Sequence, residues 1–174
     1  MKTTRLTNRS FPPYSYVPGH APHPISDPAG HMHGLQHPTP PPLEPVRWLE
    51  SQEYLFGIDL FNHGYYWEAH EAWESLWHAA NRQGNIADFI KGLIKLAAAG
   101  VKAREGNTRG VNRHIQRSLE LLRHACADQR LFCGIAINEL IQSCTSTLQA
   151  MHEIHMPQPG LILPFVIQVE NQSN

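Results

Sequence analysis

Residues 67–77 read WEAHEAWESLW, and this stretch decides the fold. Its apolar side chains recur every three or four residues, which predicts an amphipathic helix from Tyr65 to about Asn81. One stripe of that helix forms the expected core face and contains Tyr66, Ala69, Trp73, Leu76 and Ala80. The adjoining stripe carries polar groups and two indoles: Trp67, His70, Glu71, Glu74, Trp77 and His78. Acids and imidazoles therefore flank the core side by side.

The prolines divide the chain into an arm, a helical part and a tail. Residues 1–44 are rich in histidine and hold ten of the fourteen prolines. Each proline removes a backbone donor and fixes φ, so this arm is expected to be extended. Its apolar residues, such as Phe11 and Tyr14, predict that it packs along the domain. Helical spacing then predicts a domain over 45–156, and an extended tail over 157–174 is expected to cover it.

Four more helices are predicted, one before the helix that contains WEAHEAWESLW and three after it. Gly64 stands where a left-handed C-terminal cap is needed, so a turn should separate the first two helices. The chain is therefore expected to be all-α, a compact bundle of about five helices arranged as helical hairpins. The four additional helices are expected at about 46–62, 86–104, 109–126 and 129–153.

Composition excludes several classes of partner and activity. Fourteen basic residues nearly balance fifteen acidic ones, so no nucleic-acid partner is expected. No apolar stretch is long enough to cross a membrane, and the N-terminus lacks the apolar run of a secretory signal. Three cysteines without CxxC spacing are expected to be reduced thiols of a cytoplasmic protein. The motifs of serine hydrolases, phosphate-binding loops and dinucleotide-binding folds are absent from the sequence.

The polar stripe of the second helix is a candidate metal site. His70 and Glu74 are neighbours at a spacing of four residues, and His78 continues the same line. Nitrogen and carboxylate ligands suit Zn²⁺, Fe²⁺ or Mn²⁺. His70 and Glu74 are therefore candidate ligands, and His23 and His31 of the arm would complete the site if the arm folds over this helix.

The same stripe could instead, or also, hold a small ligand and act on it. Glu71 and Glu74 are the candidate catalytic bases, and His70 is a candidate acid. Four further residues are candidates for ligand binding, as pocket walls or as cations facing the acids: Trp67, Trp77, Lys91 and Lys95.

A different reading of the same residues stays open. HExxH would indicate a zinc protease, but Glu74 replaces the second histidine, so that class is not favoured. His70 and Glu74 could form a structural hydrogen-bonded pair. The chain would then be a non-enzymatic helical-hairpin module, similar to tetratricopeptide repeats, that binds a peptide or a second copy of itself.

The sequence resembles a family of bacterial and archaeal proteins, domain of unknown function 309. The resemblance covers about residues 48–124 and depends on the WEAHEAWESLW run and on the later run FIKGLIKLAAA at 89–99. His23 and His31 match an N-terminal extension that some members carry. The resemblance implies a compact helical bundle and brings no established activity. Its signature positions are Trp67, His70, Glu71, Glu74 and Trp77.

Overall fold

The computed structural model describes residues 4–36, 38–127, 129–153 and 162–170. In these residues a short 3-10 helix, Pro45–Glu50, is followed by four α-helices, a two-stranded hairpin and a last helix. The α-helices are α1 (Gln52–Asn62), α2 (Tyr66–Ala79), α3 (Gly84–Arg104), α4 (Thr108–Ala125) and α5 (Ile137–Glu153). The antiparallel hairpin consists of β1 (Leu131–Phe132) and β2 (Ile135–Ala136).

Helices α1 to α4 pack in chain order, each against the next. Glycines allow two of these close contacts. A Cβ atom at Gly57 of α1 would collide with the indole of Trp73 on α2, and one at Gly92 of α3 would meet the side chain of Leu122 on α4. The prediction of a compact all-α bundle is confirmed.

Helix α2 has the predicted core face as far as Leu76, whereas Ala80 lies at the C-cap and is half-buried. Tyr66, Ala69, Trp73 and Leu76 are buried, and burial of such side chains is the main stabilising term of a bundle. Gly64 has a φ of +82°, as the predicted left-handed cap requires. The polar stripe is therefore held beside the core and faces outward.

The prediction of a continuous first helix over 46–62 is wrong. Residues Pro45–Glu50 form a 3-10 helix, and Ser51 is extended with φ −81° and ψ 95°. Trp48 is the cause, since it is buried against Gly134 of the distant hairpin, where any Cβ atom would collide with the indole.

The fifth helix begins at Ile137 and not at 129, so that boundary is also wrong. The preceding residues form the hairpin, whose turn has φ +47° at Cys133 and φ +76° at Gly134. Two positive φ values match the right-handed twist of a tight hairpin. The hydroxyl of Tyr54 donates to the Cys133 carbonyl at 2.8 Å and ties this turn to α1.

The described part of the arm, residues 4–36 and 38–44, contains no helix and packs on α1 and α2. Asp59 of α1 accepts hydrogen bonds from the backbone of Leu6 and Thr7, and Phe11 stacks on Tyr65 with ring centroids 5.0 Å apart. The arm thereby covers part of the outer surface of the first helical hairpin.

Residues 162–170 of the tail cross the bundle. The Ile167 N–H donates to Asn62 Oδ1 at 2.7 Å, and the Asn62 amide donates back to the Ile167 carbonyl. Val169 forms an isolated antiparallel bridge with Ile135. Residues 162–170 contain no helix, and the rest of the predicted tail, 157–161 and 171–174, lies outside the described residues.

The cysteines and the apolar character of the helices were the subject of two further predictions. All three cysteines are free, buried thiols, with no disulfide between them. Among the described helices, none combines the length and apolar character that crossing a membrane requires.

Candidate functional site

Three side chains of the polar stripe come together on one turn of α2. His70 Nδ1 lies 3.4 Å from Glu71 Oε1 and 3.6 Å from Glu74 Oε2. One potential ligand atom from each residue lies within 4.8 Å of the other two. The side chains are 26 to 38% exposed, so solvent reaches the group.

His70 is held in this group without a hydrogen bond on the facing nitrogen. The Nδ1 atom is buried and has no hydrogen-bond partner among the described residues, although two carboxylates stand close to it. The two carboxylates are therefore close to His70 Nδ1, but neither forms a hydrogen bond with it. One imidazole and two carboxylates are a donor set that could hold a divalent metal ion.

His78, the third donor of the predicted line, lies at the margin. Its Nε2 is 3.9 Å from Glu74 Oε1, but its Nδ1 accepts hydrogen bonds from Arg82 at 3.1 and 2.7 Å. It is not a member of the compact group. The structure thus brings together three neighbouring residues in place of a line along the helix.

Two residues of α3 and α4 act electrostatically on this surface. Burial, followed by the charge of Lys95, lowers the pKa of His114 to about 4, and the charge of His70 contributes to that shift. Burial and neighbouring cations also lower the pKa of Lys95, an effect that Glu74 opposes. His114 is therefore a neutral imidazole at pH 7.

The predicted ligand-binding residues of this face are engaged with one another. The ammonium of Lys91 lies 4.1 Å from the ring centre of Trp77, and the guanidinium of Arg82 lies 5.2 Å from the same ring. Such cation–π contacts hold an indole in place. Trp77 and Lys91 therefore form a cation–π pair, and neither belongs to the compact group.

The arm histidines do not complete the metal group as expected. His23 packs edge-on against Trp67 and Tyr16, with ring centroids 5.4 and 5.1 Å away, and its Nδ1 accepts from the backbone of Ile25 and Ser26. Trp67 thus contacts the arm. Neither His23 nor His31 belongs to the compact group on α2.

His31 instead faces Glu68, a residue that the sequence pattern did not single out. His31 Nε2 is 3.9 Å from Glu68 Oε1, and their side chains are only 8 and 3% exposed. The backbone N–H of Tyr16 donates to the same carboxylate oxygen at 2.8 Å. Burial raises the pKa of Glu68 to about 7, and this hydrogen bond opposes the shift only in part.

A cleft of about 560 Å³ lies between the arm and the outer surface of α1 and α2. Its wall on α2 includes Glu68, Glu71, Glu74 and His78, and the arm contributes His31. The cleft therefore joins the exposed carboxylates of the candidate metal group to the buried pair under the arm.

The fold and these side chains define a helical-bundle protein with a candidate metal centre on its second helix. Residues 54–114 match the family model described as domain of unknown function, DUF309. The match lies within the range over which the sequence resembles that family. None of the curated proteins matches the chain.

Proposed function

We propose that this protein binds a divalent metal ion at His70, Glu71 and Glu74. The observation that carries the proposal is the closeness of the three potential ligand atoms, all within 4.8 Å of one another. One imidazole and two carboxylates form a donor set suited to Zn²⁺, Fe²⁺ or Mn²⁺. The buried Nδ1 of His70, which has no hydrogen-bond partner among the described residues, supports it.

Three ligands from one helix leave coordination positions of the ion free. A catalytic metal site likewise keeps an open position for water or substrate. Glu71 and Glu74 belong to the metal-binding group and also line the cleft, so a substrate in the cleft could reach the ion. The proposal also includes catalysis, in which one of the two carboxylates acts as the base while the other stays on the ion, and a cytoplasmic location.

The alternative is a helical module that binds a peptide or a second copy of the chain. It has less support, because the arm already covers part of the outer surface of α1 and α2, for example through Phe11 on Tyr65 and Phe56. A peptide there would compete with the arm of the same chain.

Metal binding can be measured on the full, tag-free chain. Elemental analysis after purification without chelator, and calorimetric titration of the chelator-treated protein with Zn²⁺ or Mn²⁺, should give one ion per chain. His70→Ala should weaken binding by more than about a hundredfold, because even residues that only orient ligands contribute ten- to hundredfold.

His78→Ala is the matched control. It removes an imidazole that lies 3.9 Å from Glu74 but outside the compact group, so the affinity should stay unchanged. Circular dichroism checks that both variants fold. Equal affinities in the two variants, or no bound metal in the parent chain, would contradict the proposal.

A further inference from the structure

The inner end of the cleft contains two buried side chains that lack partners. Both ring nitrogens of His31 and the Oε2 atom of Glu68 are buried, with no hydrogen-bond partner among the described residues. Both residues line the cleft. Nearly all buried polar atoms in proteins are paired, so these three point to a partner that the protein part does not provide.

Charge indicates which kind of partner would fit. Four carboxylates line the cleft, and the one guanidinium among the lining residues, that of Arg9, is already 2.7 Å from Glu53. Glu68, Glu71 and Glu74 therefore have no cation from that lining. Even if a metal ion occupies Glu71 and Glu74, Glu68 has only the charge of Arg104, which lowers its pKa without a hydrogen bond between the two among the described residues. A cationic group in the cleft is therefore the natural complement of this carboxylate.

Most of the remaining surface of the cleft is apolar. The volume of about 560 Å³ lies within the range of small-molecule pockets, which are mostly lined by hydrophobic side chains. A bare inorganic cation would leave this surface unused, whereas an organic cation would cover it. The apolar lining comes from the arm and α1: Phe11, Ile25, Met32, Leu35, Phe56 and Leu60.

We propose that the cleft binds a small organic ammonium ion, with its nitrogen on Glu68 and its apolar body against the arm and α1. The ammonium donates to Glu68 Oε2, while Glu68 Oε1 keeps its hydrogen bond from Tyr16. His31 offers a second acceptor beside it. This site goes beyond the proposed metal centre, because neither Glu68 nor His31 belongs to that group.

Three probes with one shared apolar body test the charge requirement. Phenylbutylamine, phenylbutanol and phenylbutyrate are titrated into the full chain at neutral pH, with chelator present, and binding is followed by calorimetry and by NMR shifts. Only the amine should bind. Equal binding of the alcohol or the acid, or no binding of the amine at millimolar concentration, overturns the proposal.

Glu68→Gln tests the position of the charged nitrogen. The amide keeps the side-chain volume and an oxygen for the Tyr16 N–H, and it should lower the affinity for the amine by about tenfold or more. Glu120→Gln, which removes an exposed carboxylate paired with Arg117 on α4, controls for the change in net charge and should leave the affinity unchanged. An unchanged affinity in Glu68→Gln overturns the proposal.

A second variant serves if Glu68→Gln does not fold. Ser75 is half-buried and lines the cleft, so Ser75→Trp should fill the space and abolish amine binding. Amine binding that survives this change in a folded protein overturns the proposal. All amine titrations contain chelator, so their outcome does not depend on a bound metal ion. A failure of the metal titration and a failure of the amine titration can therefore be told apart.

Discussion

Asp59 of α1 and Glu68 of α2 are both buried carboxylates under the arm, but the arm donates a different number of hydrogen bonds to each. Asp59 accepts three hydrogen bonds, from the Leu6 N–H at 2.8 Å, the Thr7 N–H at 2.9 Å and the Thr7 hydroxyl at 2.7 Å. Glu68 accepts one from the Tyr16 N–H, and its other oxygen has none among the described residues.

The difference in hydrogen bonds shows that Asp59 anchors the arm, whereas Glu68 has an oxygen available to a ligand. Asp59 is saturated with donors, so burial of its charge is compensated within the chain. Glu68 has too few donors, and burial raises its pKa to about 7. Counting donors on buried acids therefore distinguishes a carboxylate that holds the arm from one that is available to a ligand.

The largest expected effect comes from Asp59→Asn. The new amide N–H₂ would face the Thr7 donors in place of an acceptor, so the free energy of unfolding at pH 7 should fall by about 3 kcal/mol. Urea unfolding measures this loss, and limited proteolysis should show faster cleavage of the arm.

Asp88→Asn provides the matched control for that measurement. Asp88 lies 3.3 Å from the exposed His124, and such surface pairs contribute less than about 1 kcal/mol. An equal loss of stability in the two variants would mean that Asp59 does not anchor the arm.

Glu68→Gln should have the opposite sign. The folded-state pKa of Glu68 is raised from 4.5 to about 7, so ionisation costs the folded state free energy, and stability falls as the pH rises between these values. Without ligand or metal, the Gln variant should exceed the parent by about 2 kcal/mol at pH 8, since its unpaired amide offsets part of the gain.

The pH dependence makes this second prediction specific. Near pH 4 the carboxyl is protonated in both the folded and the unfolded chain, so the advantage of Glu68→Gln should disappear there. Urea unfolding from pH 4 to 8, with chelator present, measures it. If Glu68→Gln were less stable than the parent at pH 8, Glu68 would anchor the arm as Asp59 does.

The parts of the fold that sequence predicted correctly depend on local periodicity. Tyr66, Trp73 and Leu76 recur at helical spacing, and Gly64 provides the turn before them, so α2 and its outward polar stripe follow from neighbours along the chain. The closeness of His70 and Glu74 follows from the same geometry.

The parts that sequence missed depend on contacts between distant residues. Trp48 breaks the first helix because it packs on Gly134. The turn at Cys133 has a positive φ, which cysteine rarely adopts, so the hairpin has no typical turn sequence. Glu68 lies inside the WEAHEAWESLW run, but its hydrogen bond comes from Tyr16 of the arm, and helical periodicity does not predict a contact between such distant residues.

The smallest expected effect concerns His31, the neighbour of Glu68. Burial lowers the pKa of His31, so its ring is neutral at pH 7, and its nitrogens have no partner among the described residues. Phenylalanine would keep the edge-on contact with Tyr14, whose ring centre is 4.6 Å away. Replacing unpaired polar atoms by apolar ones of similar shape is nearly neutral, so His31→Phe should change the free energy of unfolding by less than about 1 kcal/mol.

His23→Phe is the counterpart in the same arm. Its Nδ1 accepts from the backbone of Ile25 and Ser26 at 3.2 Å, so losing that acceptor should cost about 1 kcal/mol or more. Urea unfolding of the two variants at pH 7 compares them directly. If His31→Phe were the more damaging change, the His31 nitrogens would already be paired in the folded protein, and they would offer no acceptor to a ligand in the cleft.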